Sequence, residues 1–248
     1  MSRFADPDHA RAYAAARPMY PAALYTWLMT EVPGRDLAWD VGTGNGQVAL
    51  DLAQHMAAVW ATDTSAAQLA HAKTHPRVTY HQTDAGQSGL PDQSVDLVTV
   101  GQAIHWFDLE VFYPEVRRVA KPGALLAVWV YGVPRFVGPA DALVQHLYHT
   151  VLEGYWDERR RLIDARLTTL HFPFPRLITP PELFLATDYT PATLVAYLDT
   201  WSAVRAYRAA TGADPLAGFA QAFEETLGGA PALRGLAPLS ILATRLLG

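Results

Sequence analysis

The feature that most constrains the fold of this chain is an alternation between short β-branched runs and helical periodicity from Leu37 to Tyr131. Apolar residues at helical spacing follow the first of these runs and give one face that can cover a sheet. Five strands are predicted, at Leu37–Val41, Ala58–Thr62, Arg77–Gln82, Val95–Val100 and Ala124–Val130. Strands that alternate with helices form βαβ units with right-handed crossovers. The sequence therefore predicts an α/β fold with a doubly wound, Rossmann-like, mostly parallel sheet and helices on both faces.

Local signals place the ends of two of these helices. Ser65 stands three residues before Gln68, which is the spacing of a capping box, so a helix is predicted to begin there. Asp108 is a candidate N-cap for the helix after the fourth strand. The pair Pro122–Gly123 is predicted to end that helix before the fifth strand.

Beyond Gly132 the periodicity is less regular. Helices are predicted over Ala140–Tyr155, over Asp157–Leu170 and from Thr190, with a stripe at Leu194, Leu198, Trp201 and Val204. Two further strands are predicted, at Glu182–Tyr189 and Leu239–Leu247, which makes seven in the sheet. We therefore divide the chain into an N-terminal helical lid (1–35), a Rossmann-like core (36–136) and a region of helical cap elements with the last two strands (137–248).

Composition excludes several classes of function. The chain has 24 Asp and Glu against 19 Lys and Arg, a net charge of −5, whereas non-specific nucleic-acid binding needs a basic surface. It has no cysteine, which excludes a disulfide framework and a thiolate zinc site, and its histidines show no ligand spacing, so no metal is predicted. The apolar segment between Lys121 and Arg135 is too short for a membrane helix. We expect a cytoplasmic protein without a nucleic-acid or membrane partner, because no signal-peptide pattern is present.

The sharpest local signal is the segment Asp40–Gly46, of sequence DVGTGNG, between a predicted strand and a predicted helix. Gly42 and Gly44 permit a tight turn and let backbone amides approach a ligand without a Cβ in the way. The third glycine comes one residue earlier than in the dinucleotide fingerprint G-x-G-x-x-G. A carboxylate at Asp40 is unfavourable beside a pyrophosphate and suits a ligand that carries an ammonium group.

At this point the chain resembles the class I S-adenosylmethionine-dependent methyltransferases, whose first motif is an acid and alternating glycines at the end of strand one. Two later segments also resemble this family, because Leu90–Val98 is similar to its LPxxxxD motif and Lys121–Gly123 to its K-P-G turn. The matches occur in the family's order and cover about residues 37–130. The resemblance implies S-adenosyl-L-methionine as the cofactor.

The same resemblance implies where the cofactor would bind. It implies that Asp40, Gly42 and Gly44 line the methionine half of the cofactor and that Asp84, followed by Ala85, meets the adenine amino group. The remaining residues predicted in the cofactor site are Thr43, Thr64, Gln102 and Ala103.

Asp63, at the end of the second predicted strand, is the candidate ligand for a ribose. A carboxylate has enough lone pairs to accept hydrogen bonds from both ribose hydroxyls. Nicotinamide enzymes and methyltransferases both place an acid at this position. Asp63 alone therefore leaves the two classes open.

The N-terminal segment Tyr13–Pro21 is similar to the Y-x-x-x-R-P-x-Y-P segment of trans-aconitate-methyltransferase-like enzymes, and the stretch from Trp201 to Val204 also resembles that group. This resemblance implies a lid over the cofactor, with Tyr13 and Arg17 near the methionine carboxylate or the substrate, and makes Tyr20 a candidate catalytic residue. A structural alternative exists, because tyrosines and prolines of this kind also fix a surface helix on a core.

The acceptor is predicted to bind after the fourth strand, where His105 and Trp106 lie at the carboxyl edge of the sheet, with Trp201 as a further contact. His105 is the candidate general base for an acceptor that must lose a proton, whereas a carboxylate acceptor needs none. The run Arg159–Arg161 is interpreted as a solvated helix face, with an anionic-substrate clamp as the alternative.

The predicted function is methyl transfer to a carboxylate or hydroxyl oxygen of a small molecule by in-line displacement, in a monomer or homodimer. Two alternatives stay open. One is an NAD(P)-dependent oxidoreductase that uses the same crevice, and the other is a non-catalytic relative that binds S-adenosylmethionine.

Overall fold

The computed structural model describes residues 18–175 and 177–246. The strands of the described chain are β1 Leu37–Val41, β2 Ala58–Asp63, β3 Val78–Gln82, β4 Val95–Gly101, β5 Ala120–Tyr131, β6 Leu177–Ile178, β7 Phe184–Tyr189 and β8 Leu233–Arg245. The α-helices are α1 Ala22–Glu31, α2 Gln47–Leu52, α3 Ala66–Leu69, α4 Leu109–Val119, α5 Pro139–His146, α6 Arg161–Asp164, α7 Pro191–Asp199, α8 Ser202–Thr211 and α9 Phe219–Glu224. The described residues also form three 3₁₀ turns, Ile104–Trp106, Glu153–Tyr155 and Glu158–Arg160, and one π-helical turn, Leu147–Val151.

The strands form one sheet of order β3-β2-β1-β4-β5-β8-β6, in which β7 also pairs with β8. The pairs within β1 to β5 are parallel, and β8 is antiparallel to β5, β6 and β7. The predicted doubly wound, mostly parallel sheet is confirmed. The structure has eight strands where seven were predicted, because β6 has only two residues and is too short to show periodicity in a sequence.

Both faces of the sheet are covered by apolar clusters. On one face α1 buries Leu24 and Leu28 beside residues of α2, against strand residues that include Trp129. On the other face α4 buries Phe112 and Val116 against alternate residues of the same strands. Strands that are buried on both faces consist mostly of apolar residues, so they could be predicted from the sequence.

The two later family motifs join three strands. The carboxylate of Asp96, at the start of β4, accepts hydrogen bonds from the backbone amides of Asp36 and Leu37 at 3.0 and 3.2 Å. Lys121 in β5 donates to the same carboxylate at 3.0 and 3.1 Å. Asp96 is buried, so these partners satisfy a charge that would otherwise be costly inside the protein. The LPxxxxD and K-P-G segments therefore hold β1, β4 and β5 in register at the edge opposite the site.

Five predicted boundaries are wrong. The α-helix predicted over Ala140–Tyr155 ends at His146, where a π-helical turn follows, and the last strand begins at Leu233, not at Leu239, because its first half pairs with β7. The fifth strand begins at Ala120, because the register between β4 and β5 shifts at Val95/Leu97 and Lys121–Gly123 bulges within the strand. The helix predicted over Asp157–Leu170 ends at Asp164, since Arg166 and Leu167 have positive φ angles of 50° and 63°. The stripe predicted from Thr190 lies on two helices, α7 and α8, which are separated at Thr200 and Trp201.

A third apolar cluster forms a helical cap next to the carboxyl ends of the strands. It joins α5, the π-helical turn, α7, α8 and α9, and its buried aromatic residues are Phe136, Tyr148, Tyr189, Tyr197, Trp201, Phe219 and Phe223. Within residues 18–175 and 177–246, no helix is both long and apolar enough to cross a membrane. In the same residues no group of three His, Asp or Glu side chains is placed to hold a metal ion.

Candidate active site

The strand ends and the cap together enclose a cleft. Its volume is about 1700 Å³, counted with the space at its open mouth. The sheet side of the cleft is formed by the ends of β1, β2, β4 and β5, where a doubly wound sheet binds its ligands. The cap side is formed by residues of the segment Trp156–Ile163 and of the α7 to α8 region.

The glycine turn forms one wall of the cleft. Gly42 and Gly44 have φ angles of +68° and +58°, a region that L side chains rarely adopt. A Cβ on Gly42 would lie 2.6 Å from the Cβ of Ala103, so this glycine is required by packing within the protein. Within the described part of the chain, a Cβ on Gly44 would meet no atom closer than the side-chain oxygen of Gln68 at 3.9 Å. The open side of Gly44 therefore leaves the backbone accessible to a ligand.

Asp63 ends β2 and links the glycine turn to α3. One carboxylate oxygen accepts a hydrogen bond from the amide of Gly44 at 2.8 Å, and the other accepts from the amide of Ser65 at 2.8 Å. Burial raises the pKa of Asp63, and these backbone hydrogen bonds oppose the rise. Each oxygen keeps a lone pair, so the carboxylate can still accept from a ligand in the cleft. The side chain of Ser65 accepts from the amide of Gln68, which confirms the predicted helix start.

Asp40 lies at the end of β1 with its carboxylate almost completely buried. The hydroxyls of Thr43 and Thr99 donate to its two oxygens at 2.5 and 2.8 Å. Burial raises the pKa of Asp40 to about 7, although the two hydroxyls act to lower it. Asp40 and Thr43 both line the cleft, and their contact with the cofactor stays a prediction.

The three other predicted residues at the ends of β2 and β3 also line the cleft. The backbone carbonyl of Thr64 accepts a hydrogen bond from the side-chain amide of Gln82 at 3.1 Å. Asp84 is exposed and its carboxylate accepts from the amide of Gly86 at 2.9 Å, which shapes the loop that carries Ala85. These positions are compatible with a role in binding adenosine, which stays a prediction.

Gln102 follows β4 with a φ angle of +56°, which is uncommon for a residue other than glycine. Its side-chain oxygen accepts from the backbone amide of Tyr131 at 2.7 Å, and its side-chain nitrogen donates to the carbonyl of Tyr131 at 3.1 Å. The side-chain amide therefore holds the ends of β4 and β5 together. Gln102 and Ala103 both line the cleft, and a contact of either with the cofactor stays a prediction.

The predicted acceptor residues lie between the sheet and the cap. His105 and Trp106 belong to the 3₁₀ turn Ile104–Trp106 and line the cleft, with their ring centroids 4.8 Å apart. Trp201 lines the opposite side, from the cap. Tyr20 also lines the cleft, and its ring meets that of Trp129 edge to face at a centroid distance of 5.6 Å. Tyr13 and Arg17, also predicted in the site, lie outside the described residues.

Sequence reasoning missed most of the cap side of the cleft. Trp156, Arg160, Tyr197 and Arg205 all line it. The available signal was the run Arg159–Arg161, whose three residues have different surroundings. The guanidinium of Arg159 lies 5.3 Å from the Trp106 ring centroid, Arg160 lines the cleft, and Arg161 is 82% exposed beside Glu158. The interpretation of the whole run as a solvated face is therefore wrong for Arg160.

The comparisons with known proteins agree with the resemblance. Residues 39–128 match the model of a family described as a methyltransferase domain. A protein of Dictyostelium discoideum named as a methyltransferase is 32% identical over 210 residues, which cover 83% of this chain and 80% of that protein. A protein of Anaeromyxobacter dehalogenans named as a type II methyltransferase is 44% identical, with a TM-score of 0.87 over 93% of this chain and 98% of its own.

A more distant structure shows the fold alone. It is phosphoethanolamine N-methyltransferase 2 of Haemonchus contortus in complex with S-adenosylhomocysteine, which is 16% identical, with a TM-score of 0.51 over 100% of this chain and 61% of its own. The doubly wound sheet and the strand-end cleft define an α/β enzyme of the Rossmann-like class. With the family match and these relatives, the chain belongs to the class I S-adenosylmethionine-dependent methyltransferases, and S-adenosylmethionine is its cofactor. The oxidoreductase and non-catalytic alternatives are thereby set aside.

Proposed function

We propose that this methyltransferase acts on a carboxylate or hydroxyl oxygen of a small molecule, by in-line displacement. The observation that carries the proposal is that the cap faces the strand ends across the cleft. Aromatic residues of the cap, Trp156, Tyr197 and Trp201, line the space next to His105 and Trp106. Concave surfaces with aromatic side chains and a few polar groups suit small ligands. The acidic net charge supports the absence of a nucleic-acid partner.

The residues of the cleft fit S-adenosylmethionine. The open side of Gly44 gives access to the backbone, and the buried side-chain oxygen of Gln68 beside it has no hydrogen-bond partner among the described residues. We infer that the turn Gly42–Gly44 and Asp40 hold the methionine part and that Asp63 holds the ribose. The resemblance adds Tyr13, Arg17, Thr43, Thr64, Asp84, Ala85, Gln102 and Ala103 to the proposed cofactor site. The cofactor supplies a methyl group that its sulfonium has already activated.

The protein's contribution is alignment and the exclusion of water, which together can lower a displacement barrier substantially. Tyr20, packed against Trp129 and lining the cleft, is proposed to orient the acceptor. His105 is proposed to remove the proton from a hydroxyl acceptor, whereas an ionised carboxylate needs no base. Trp106 and Trp201 would contact the acceptor from the two sides of the cleft.

The wider assignments follow the resemblance. We propose that the chain belongs to the trans-aconitate-methyltransferase-like group and acts as a monomer or homodimer in the cytoplasm. In this proposal residues 1–35 form a lid, 36–136 the cofactor-binding core and 137–248 the cap with the last strands. In the described part of the first segment, α1 packs on the sheet.

Cofactor binding tests the first half of the proposal. We expect S-adenosylhomocysteine to bind with micromolar affinity in calorimetry and Asp63→Ala to abolish binding, because the variant loses the ribose acceptor and the link to Gly44. Asp92→Ala is the matched control, since Asp92 is exposed and pairs with Arg118 far from the turn. Folded wild-type protein that does not bind S-adenosylhomocysteine would contradict the proposal.

Methyl transfer to a library of small acids and phenols, measured with cofactor labelled in the methyl group, tests the second half. We expect His105→Gln to lower kcat for phenols by about 10²- to 10⁴-fold, the usual contribution of a general base, and to leave carboxylate acceptors nearly unchanged. His146→Gln, at an exposed position of α5, is the control. Equal losses for both kinds of acceptor would show that His105 is not a base.

A further inference from the structure

Acidic and basic side chains line different sides of the cleft. Among the described residues, Asp40, Asp63, Asp84 and Asp108 line the cleft from the sheet side, and Arg160 and Arg205 line it from the cap side. Arg160 also borders a second, neighbouring pocket, which Tyr148 and Asp164 line. Carboxylates favour a cationic ligand, and guanidinium groups favour an anionic one. The cofactor carries a sulfonium and an ammonium group, so the acidic half suits the cofactor, and the resemblance offers Tyr13 and Arg17 for its one carboxylate. The cap half is then left for a ligand of the opposite charge.

Arg160 is held rigidly by aromatic neighbours. Its guanidinium carbon lies 4.4 Å from the centroid of the Trp156 ring and 5.2 Å from that of Tyr148. The Nε atom donates a hydrogen bond to the hydroxyl of Tyr148 at 2.7 Å, and that hydroxyl donates to the carboxylate of Asp164 at 2.6 Å. Stacking and a fixed Nε contact reduce the rotamer freedom that an arginine loses when it binds a ligand.

The two terminal nitrogens of Arg160 are not used within the described part of the chain. The hydrogen bonds of Arg160 there come from Nε alone, and none of the ion pairs among residues 18–175 and 177–246 includes it. The paired N–H groups of a guanidinium match the two oxygens of a carboxylate. Tyr148 itself lies in the π-helical turn Leu147–Val151, a geometry that occurs often at functional sites.

We propose that Arg160 binds an anionic group, a carboxylate, on the methyl acceptor, and that Tyr148 and Asp164 position its guanidinium for this task. The proposal rests on the proposed function, because it needs an acceptor between the sheet and the cap. Arg160 is then a specificity-determining residue, and Tyr148 is a positioning residue. The two neighbouring arginines do not share the role, because Arg159 lies over Trp106 and Arg161 pairs with Glu158 at the surface.

The test uses protein saturated with S-adenosylhomocysteine and pairs of probes that differ only in charge. Calorimetry compares 4-hydroxyphenylacetate with 4-hydroxyphenylacetamide and succinate with succinamide. We expect at least one acid to bind at least about tenfold more tightly than its amide. Arg160→Gln should lower the affinity for that acid by about 10- to 100-fold, which is the range for a charge-assisted contact. Arg161→Gln should leave the affinity for the acid unchanged, and neither variant should alter the affinity for S-adenosylhomocysteine.

Two further variants separate recognition from a structural role. Arg160→Lys keeps the charge without the planar fork, so it should recover part of the lost affinity. Tyr148→Phe keeps the ring and removes the hydroxyl. It should therefore lower the affinity for the acid by less than Arg160→Gln does. A purely structural role would instead lower the melting temperature and the affinity for acids and amides together.

Three results would overturn the proposal: amides that bind as tightly as their acids, an absence of binding by both acids, or an Arg160→Gln variant that binds acids like Arg161→Gln. Each of these results leaves methyl transfer to neutral acceptors, and hence the proposed function, intact. If the proposed function itself were wrong, the result would be different, because the wild-type protein would fail to bind S-adenosylhomocysteine at all.

Discussion

Two glycines of the same turn should respond differently to alanine, one mainly in stability and the other mainly in cofactor affinity. Gly42 and Gly44 both have positive φ, so an alanine at either position bears the left-handed backbone cost of about 1–2 kcal/mol. At position 42 the new methyl would also lie 2.6 Å from the Cβ of Ala103 and 3.1 Å from the ring of Phe107. At position 44 it would meet only the side-chain oxygen of Gln68 at 3.9 Å, which is ordinary contact.

The difference in stability between the two variants can be worked out from this geometry. Relief of a 2.6 Å contact requires movement of the backbone or of Ala103, at a cost of about 1–3 kcal/mol for overpacking. We therefore expect Gly42→Ala to be about 2 kcal/mol less stable than Gly44→Ala. In a chain of this length that difference lowers the melting temperature by about 4–8 °C.

Thermal melts without ligand measure the stability effect, and calorimetry with S-adenosylhomocysteine measures the binding effect. Gly44→Ala should lose at least about tenfold in affinity despite its smaller loss of stability, because its methyl would fill the space where the backbone approaches the cofactor. Equal melting temperatures for the two variants would refute the packing argument. Unchanged affinity in Gly44→Ala would refute the role of the open glycine.

Three other variants test the site and its supports. Burial raises the pKa of Asp40 to about 7. Between about pH 4 and pH 7 the folded chain therefore keeps a proton that the unfolded chain releases. The free energy of unfolding without ligand should consequently fall as pH rises through this range. Asp40→Asn should flatten that slope in thermal melts across this range. Lys121→Met leaves the buried carboxylate of Asp96 without its cation, and urea unfolding should show a loss of about 1–3 kcal/mol. Gln102→Leu removes two hydrogen bonds to Tyr131 and should lower kcat more than the affinity for S-adenosylhomocysteine.

The sheet could be predicted because its signals are local. Runs such as Val95–Val100 are mostly apolar, with four apolar residues of six, and each is followed by a turn or cap that ends the element. The errors occur where neighbours in space decide the conformation. Lys121–Gly123 has the composition of a turn, yet pairing with β4 keeps it in the strand as a bulge. The break between α7 and α8 likewise depends on packing of Trp201 in the cap.

The acidic half of the site could be predicted for a topological reason, and the cap half could not. The ends of parallel strands meet at one edge, so Asp40 and Asp63 are brought together by strand order alone. No comparable rule says which of three consecutive arginines faces inward. The orientation of Arg160 depends on Tyr148 and Trp156, which belong to a π-helical turn and a loop that periodicity does not predict.

The acids of this chain also show why binding and folding cannot be separated by a single substitution at the site. Asp96 acts only in the fold, because its partners are the start of β1 and Lys121, on the edge away from the cleft. In the proposed site Asp63 would serve both purposes, since the oxygens that would meet a ribose also hold Gly44 and Ser65 in place. Loss of affinity in Asp63→Ala would therefore combine a missing ligand group with a loosened turn. Gly44→Ala leaves the Asp63 side chain in place and adds a methyl group above the turn, besides the cost of a left-handed alanine, so it is the more direct probe of where the cofactor binds.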